Sequence, residues 1–147
     1  MKVTIEKSDL THEVLVDLFS TALYGNPSFG CYYDSFEYHD KCKVDESDCY
    51  EDKIAKLLLA GCSIEIADEY AEDEKDVYGD KKATWSTEYE IMMYPITLDD
   101  IVEGLNKAAN DGQVQRVESL LNLDGDIDMI DADALMQYIV YGDIIYG

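Results

Sequence analysis

The sequence predicts an α+β domain, a small and mainly antiparallel sheet of about 3 to 4 strands packed with about 4 to 5 helices. Three observations carry this. Apolar residues recur at helical spacing in several separate stretches, two other stretches alternate with a period of two, and Gly or Pro stands at the junctions. The 147 residues suit one domain, 1–147, able to bury its own core, and 47% apolar types is too high for a disordered acidic tail.

Residues 2–6 alternate as a short strand. Ser8 then precedes Leu10, Val14, Leu15, Leu18, Phe19, Ala22 and Leu23, one apolar face of a helix that Gly25, Asn26 and Pro27 stop. Phe29 to Tyr38 is aromatic and reads as a strand or an ordered loop. Asp48 is the expected N-cap of a second helix carrying Ile54, Leu57, Leu58 and Leu59, with Gly61 at its C-terminal end. Cys62 to Tyr70 alternates as a half-buried strand with Ile64 and Ile66 on one side.

Thr84 to Tyr94 reads as the next strand, with Trp85, Tyr89, Ile91 and Met93 inward and Ser86, Glu88 and Glu90 facing water. The two strands suit an antiparallel hairpin connected by the acidic segment from Asp68 to Lys82, and Pro95 is expected to end the pairing. Thr97 to Asp100 resembles a capping start for a helix with Ile101, Val102, Leu105 and Ala108 inward, which Gly112 breaks. A helix around Val114 to Leu121 and a last one from about Asp131 to Tyr141 follow, with Ile144 to Tyr146 packing down after them.

Charge is the outlying quantity. Against 33 Asp and Glu stand 11 Lys and Arg, a net charge of -22, with Arg116 the only arginine. Ordinary solubility needs a magnitude of about 2 to 8 in a small domain, and self-repulsion of the excess opposes folding. An acid- or salt-adapted source or a metal-binding surface would explain it; so would a basic partner surface. Without clustered Lys or Arg, direct binding of nucleic acid or of anionic lipid is disfavoured. The N-terminus lacks the apolar core of a secretory signal and no apolar run reaches the ~20 residues of a membrane span, so the cytoplasm is expected.

The acid is patterned. Residues 34–52 hold eight acidic and two basic residues, 65–80 eight and one, and 124–133 five Asp and no base, together 21 of the 33. Acidic side chains two apart on a strand, ~6.6 Å, or four apart on a helix, roughly 5 to 6 Å, can imitate a path of phosphates. The candidate partner-binding residues are therefore Glu65, Asp68, Glu69, Glu72, Asp73, Glu74, Asp76, Glu88, Glu90, Asp124, Asp126, Asp128, Asp131 and Asp133. Tyr70 and Tyr78 join them, because tyrosine beside an acidic run is a favoured contact residue.

Other chemistry finds less support. Asp124, Asp126 and Asp128 begin like a calcium loop, but position 6 is Met129 where Gly is needed and position 12 is Leu135 where Glu is needed. His39, Cys42, Cys49 and Cys62 match no zinc spacing, and ordinary reduced, half-buried cysteines are expected. Phosphate loops, nucleophile elbows and metalloprotease motifs are missing, so neither an enzyme nor a cofactor is expected. A divalent-metal-binding protein remains one alternative.

The C-terminal residues Asp131-Ala132-Asp133-Ala134, Gln137-Tyr138 and Tyr141-Gly142-Asp143-Ile144-Ile145-Tyr146-Gly147 resemble those of small acidic proteins encoded by phages and mobile elements of gut Firmicutes. Leu57-Leu58-Leu59-Ala60-Gly61 before an acidic hairpin is similar too. The resemblance implies an anti-CRISPR or antirestriction-like protein that inhibits a host defence nuclease, a Cas effector foremost, by posing as DNA or RNA. The alternative is a phage regulatory or assembly factor that binds a basic host or virion protein without mimicry.

Overall fold

The computed structural model describes residues 4–24, 29–123 and 127–146. Its elements run α1 (His12–Tyr24), β1 (Phe29–Tyr32), α2 (Ser35–Lys41), α3 (Tyr50–Leu59), β2 (Ile64–Asp68), β3 (Thr84–Ser86), β4 (Ile91–Ile96), α4 (Leu98–Ala108), α5 (Val114–Asn122) and α6 (Met129–Tyr141). The strands form one antiparallel sheet in the order β1-β2-β4-β3, so the expected α+β class holds.

Local chemistry accounts for most boundaries. Thr97 caps α4, its hydroxyl accepting from the Asp100 N–H while the Asp100 carboxylate accepts from Thr97 N–H at 2.8 Å. After α3, Gly61 adopts φ +88°, and the Cys62 N–H donates to the Leu57 carbonyl at 2.9 Å, the left-handed closure that favours glycine. Gly112, at φ +96°, sits in a five-residue turn between α4 and α5 and so breaks the helix as expected.

Several expectations are corrected. Residues 4–6 are not a strand: the Asn106 side chain satisfies the backbone of Ile5 by accepting from its N–H at 2.7 Å and donating to its carbonyl at 2.9 Å. Residues 2 and 3 of that expected strand, and the stop at residues 25–27, lie outside the described residues. Cys49, not Asp48, caps α3; Asp48 instead accepts from the Tyr38 hydroxyl and the Lys56 ammonium, each at 2.5 Å. The last helix begins at Met129, two residues early, because Asp128 caps it.

The run from Thr84 to Tyr94 is two strands and not one. A turn over residues 87–90, closed by Glu90 in the left-handed region at φ +53°, separates β3 from β4 and restarts the alternation. Met92, Tyr94 and Ile96 consequently point into the core, where Ile91 and Met93 were expected to. Pro95 pairs with Glu65 inside β4; β3 reaches only as far as Thr84, opposite Met93, so no strand pairs on that side of Pro95.

The sheet has two unlike faces. Phe29, Cys31, Ile64, Ile66, Met92, Tyr94 and Ile96 join the helices in one core with Leu15, Leu18, Phe19, Leu57, Leu58, Leu105, Leu135 and Ile139. The alternate residues, Gly30, Tyr32, Glu65, Ala67, Ile91, Met93 and Pro95, lie outside that core. At the helical layer, Gly104 lets α4 approach α6 closely, since a Cβ there would stand 2.5 Å from the Cα of Ile139.

Candidate functional site

The outer sheet face is built from alternation. Because Phe29, Cys31, Ile64 and Ile66 go inward, Tyr32 and Glu65 must go outward, and they are cross-strand partners. The turn that splits β3 from β4 brings Tyr89 back over this face, where its ring stacks on Tyr32 with centroids 6.4 Å apart. Glu69 lies on the same face, its carboxylate so placed that a Cβ on Gly30 would meet it at 3.2 Å. Glu88 and Glu90 are exposed in the turn that carries Tyr89. None of the outward strand residues is basic.

Glu65 is half-buried and, among the described residues, makes no hydrogen bond or ion pair. Burial alone pushes its carboxyl above the usual glutamate range. Four cations pair with acids other than Glu65: Lys7 with Asp99 at 2.9 Å, Lys56 with Asp48, Lys81 with Asp100 at 3.6 Å and Arg116 with Asp131 at 2.7 Å. Where the face ends at Pro95, Lys81 and Lys82 line a cleft beside it.

Next to Asp68 begins the acidic loop, and the structure anchors it through tyrosines. Asp68 is fully buried and accepts from the Tyr146 hydroxyl and from the Tyr70 N–H, both at 2.9 Å. It is a structural residue, a correction to its place among the contact candidates: its oxygens are committed within the fold. Tyr78 likewise packs its ring 5.7 Å from Tyr141 and 5.8 Å from Tyr146, and its N–H donates to the Tyr94 hydroxyl at 3.0 Å. Gly79 follows at φ +78°, where a Cβ would fall 2.5 Å from the Tyr141 carbonyl oxygen.

Asp76 folds the loop tip by accepting from the N–H groups of Glu72 and Asp73, at 2.7 and 3.4 Å. That leaves Glu72, Asp73 and Glu74 exposed, with Tyr70 half exposed and its ring 5.2 Å from Tyr146. Glu65, Glu69, Glu88 and Glu90 therefore border the outer sheet face, and the loop acids lead away from its end. The third predicted segment is elsewhere: Asp128 stands about 20 Å along α6 from Tyr141 at ~1.5 Å per residue.

Within that third segment the acids do local work. Asp128 accepts from the Asp131 N–H at 2.9 Å as the cap of α6, Asp131 pairs with Arg116, and Asp133 accepts from the Gln137 amide at 2.9 Å. Asp124 and Asp126 lie outside the described residues. Among the described residues, no group of three or more His, Cys, Asp or Glu is placed to hold a metal ion. Burial pushes the Cys31 thiol up to about 12 and raises those of Cys42 and Cys62, the direction opposite to an activated nucleophile. Among the described residues, no helix is long and apolar enough to cross a membrane.

Sequence reasoning passed over Tyr32, Asp34, Phe36, Glu37 and Tyr89. Their signal was present, since Phe29 to Tyr38 is aromatic and leads into an acidic segment, but Tyr89 falls on the inward parity unless the turn is recognised. No protein-family model matches this chain, and no curated protein or solved structure was found to match it.

Proposed function

We propose that this chain works by binding, as an inhibitor of a bacterial defence nuclease, a Cas effector foremost, and that it presents an acidic surface to that enzyme's basic nucleic-acid channel. The observation that carries the reading is the acidic side of the outer sheet face, with Glu65 and Glu69 upon it, Glu88 and Glu90 at its border and no basic strand residue among them. Such a face associates quickly with a basic channel and loses affinity with salt. The choice of a defence nuclease draws on the resemblance of the C-terminal residues to small acidic phage proteins.

The test is a pull-down from host lysate together with a CRISPR-interference assay in cells expressing the chain. Recovery of a nuclease and loss of interference support the reading; recovery of none, with interference intact, refutes it. A second reading is a phage regulatory or assembly factor docking on a basic host or virion protein without mimicry. It is favoured by the exposed aromatic residues Tyr32, Phe36 and Tyr89, which suit a protein hot spot. Nucleic acid competes for the partner in the first reading and does not in the second.

A further inference from the structure

At the corner of β1, α2 and β2 a cleft of about 410 Å³ opens next to the stacked Tyr32 and Tyr89 rings. Its lining includes Tyr32, Tyr33, Asp34, Glu37 and Glu65 and no Lys or Arg. Asp34 uses one oxygen to cap α2, accepting from the N–H groups of Phe36 and Glu37 at 2.9 and 3.3 Å, while its second oxygen carries no hydrogen bond among the described residues. Glu65 has no partner at all of that kind, and burial works against its charge. Of the cleft's carboxylates Asp34 is exposed and Glu65 half-buried, and a half-buried carboxylate without a partner is costly until a cation arrives.

The aromatic residues narrow what that cation is. Phe36 is 85% exposed on the first turn of α2, Tyr32 42% and Tyr89 61%. Rings left this open contribute little to the core, and two of them are stacked against each other beside the acids. A compact, strongly hydrated ammonium gains less from such a wall than a planar guanidinium, which can lie on a ring and bond a carboxylate through two N–H groups at once.

We propose that this cleft receives an arginine side chain from an extended basic segment of a partner protein, with the guanidinium against the Tyr32 ring and bonded to Glu65. The proposal rests on the reading that the chain binds a basic protein, and it names the chemistry of the contact. Charge complementarity selects the occupant: a chain of net charge -22 offers, at its most open aromatic corner, a cleft walled by carboxylates.

The experiment titrates the isotopically labelled full chain with a capped peptide of alternating Gly and Arg, and with its Gly–Lys counterpart of equal length and charge, following amide shifts by NMR. The Arg peptide is expected to bind about fivefold more tightly. The largest shifts are expected at Tyr32, Ser63 and Glu65. Glu65→Gln, which keeps the side-chain shape, and Tyr32→Ala are expected to remove that preference, and the exposed control Glu118→Gln to keep it. Equal affinity for the two peptides, a preference that survives in Glu65→Gln, or shifts centred elsewhere would overturn the proposal; Glu65→Gln alone decides if Tyr32→Ala fails to fold.

The two readings fail separately. If a nuclease is captured equally well by the wild type and by Glu65→Gln, the cleft is wrong and the inhibitor reading stands. If the Arg peptide seats in the cleft while interference is untouched, the cleft stands and the inhibitor reading falls.

Discussion

The buried carboxylate of Asp68 accepts a hydrogen bond from the hydroxyl of Tyr146, 78 positions later in the chain, at 2.9 Å. It ties the C-terminal tail to the end of β2, where the acidic loop begins. The Gln137 side chain holds the same tail, its carbonyl oxygen accepting from the Ile145 and Tyr146 N–H groups at 2.7 and 2.8 Å. The loop that carries Glu72, Asp73 and Glu74 therefore leaves a fixed base.

Tyr146→Phe removes a donor from a buried carboxylate and is expected to cost about 1 to 3 kcal/mol. Tyr141→Phe should behave oppositely. Its hydroxyl is buried without a hydrogen bond of standard geometry, so deleting it is expected to leave stability unchanged or slightly raised. Urea unfolding of the two variants, compared with wild type, separates them.

Gly104→Ala places a Cβ against Ile139 at the α4–α6 contact. Overpacking of this kind is expected to cost about 1 to 3 kcal/mol, with helix content retained. Thermal unfolding followed by circular dichroism provides the check.

Glu65 gives a pH-dependent prediction. Its folded-state carboxyl lies above the ordinary 4.5, so the folded chain holds this proton more tightly than the unfolded one. The contribution of Glu65 to stability is whole below that value and is lost as pH rises through the folded value. Glu65→Gln is therefore expected to match wild type in acid and to exceed it at neutral pH, as read from urea midpoints at both pH values.

Buried tyrosines set the alkaline limit. Burial holds the hydroxyls of Tyr50, Tyr94, Tyr141 and Tyr146 above the ordinary 10.0. Unfolded tyrosines titrate first, so this stabilisation is complete below about pH 10 and is lost above it. The last part of the tyrosinate absorbance is expected to rise late and together with unfolding; a rise that reaches completion in a folded chain would contradict the burial.

Much of this architecture was legible in the residues. The helices around Leu18, Leu58, Leu105 and Leu135 follow from 3.6-residue spacing, and the strand through Ile64 and Ile66 from alternation. What failed depended on distant partners. Nothing local tells that Asn106 takes the place of a strand beside Ile5, or that Glu90 closes a turn that reverses the parity of β4. The site was half legible for the same reason. Acidic composition marks Glu65, Glu69, Glu88 and Glu90, but only packing separates them from Asp68, whose two oxygens are used within the fold, and from Asp76, one of whose oxygens folds the loop tip, and only the turn brings Tyr89 onto Tyr32.

The most direct measurement is CRISPR interference in cells expressing either the wild-type chain or a variant with Glu65, Glu69, Glu88 and Glu90 all changed to Gln and shown to fold. The account predicts that the wild type suppresses interference and that the variant restores most of it. An unaffected variant, or a wild type that suppresses nothing, would contradict the assignment of function to the outer sheet face.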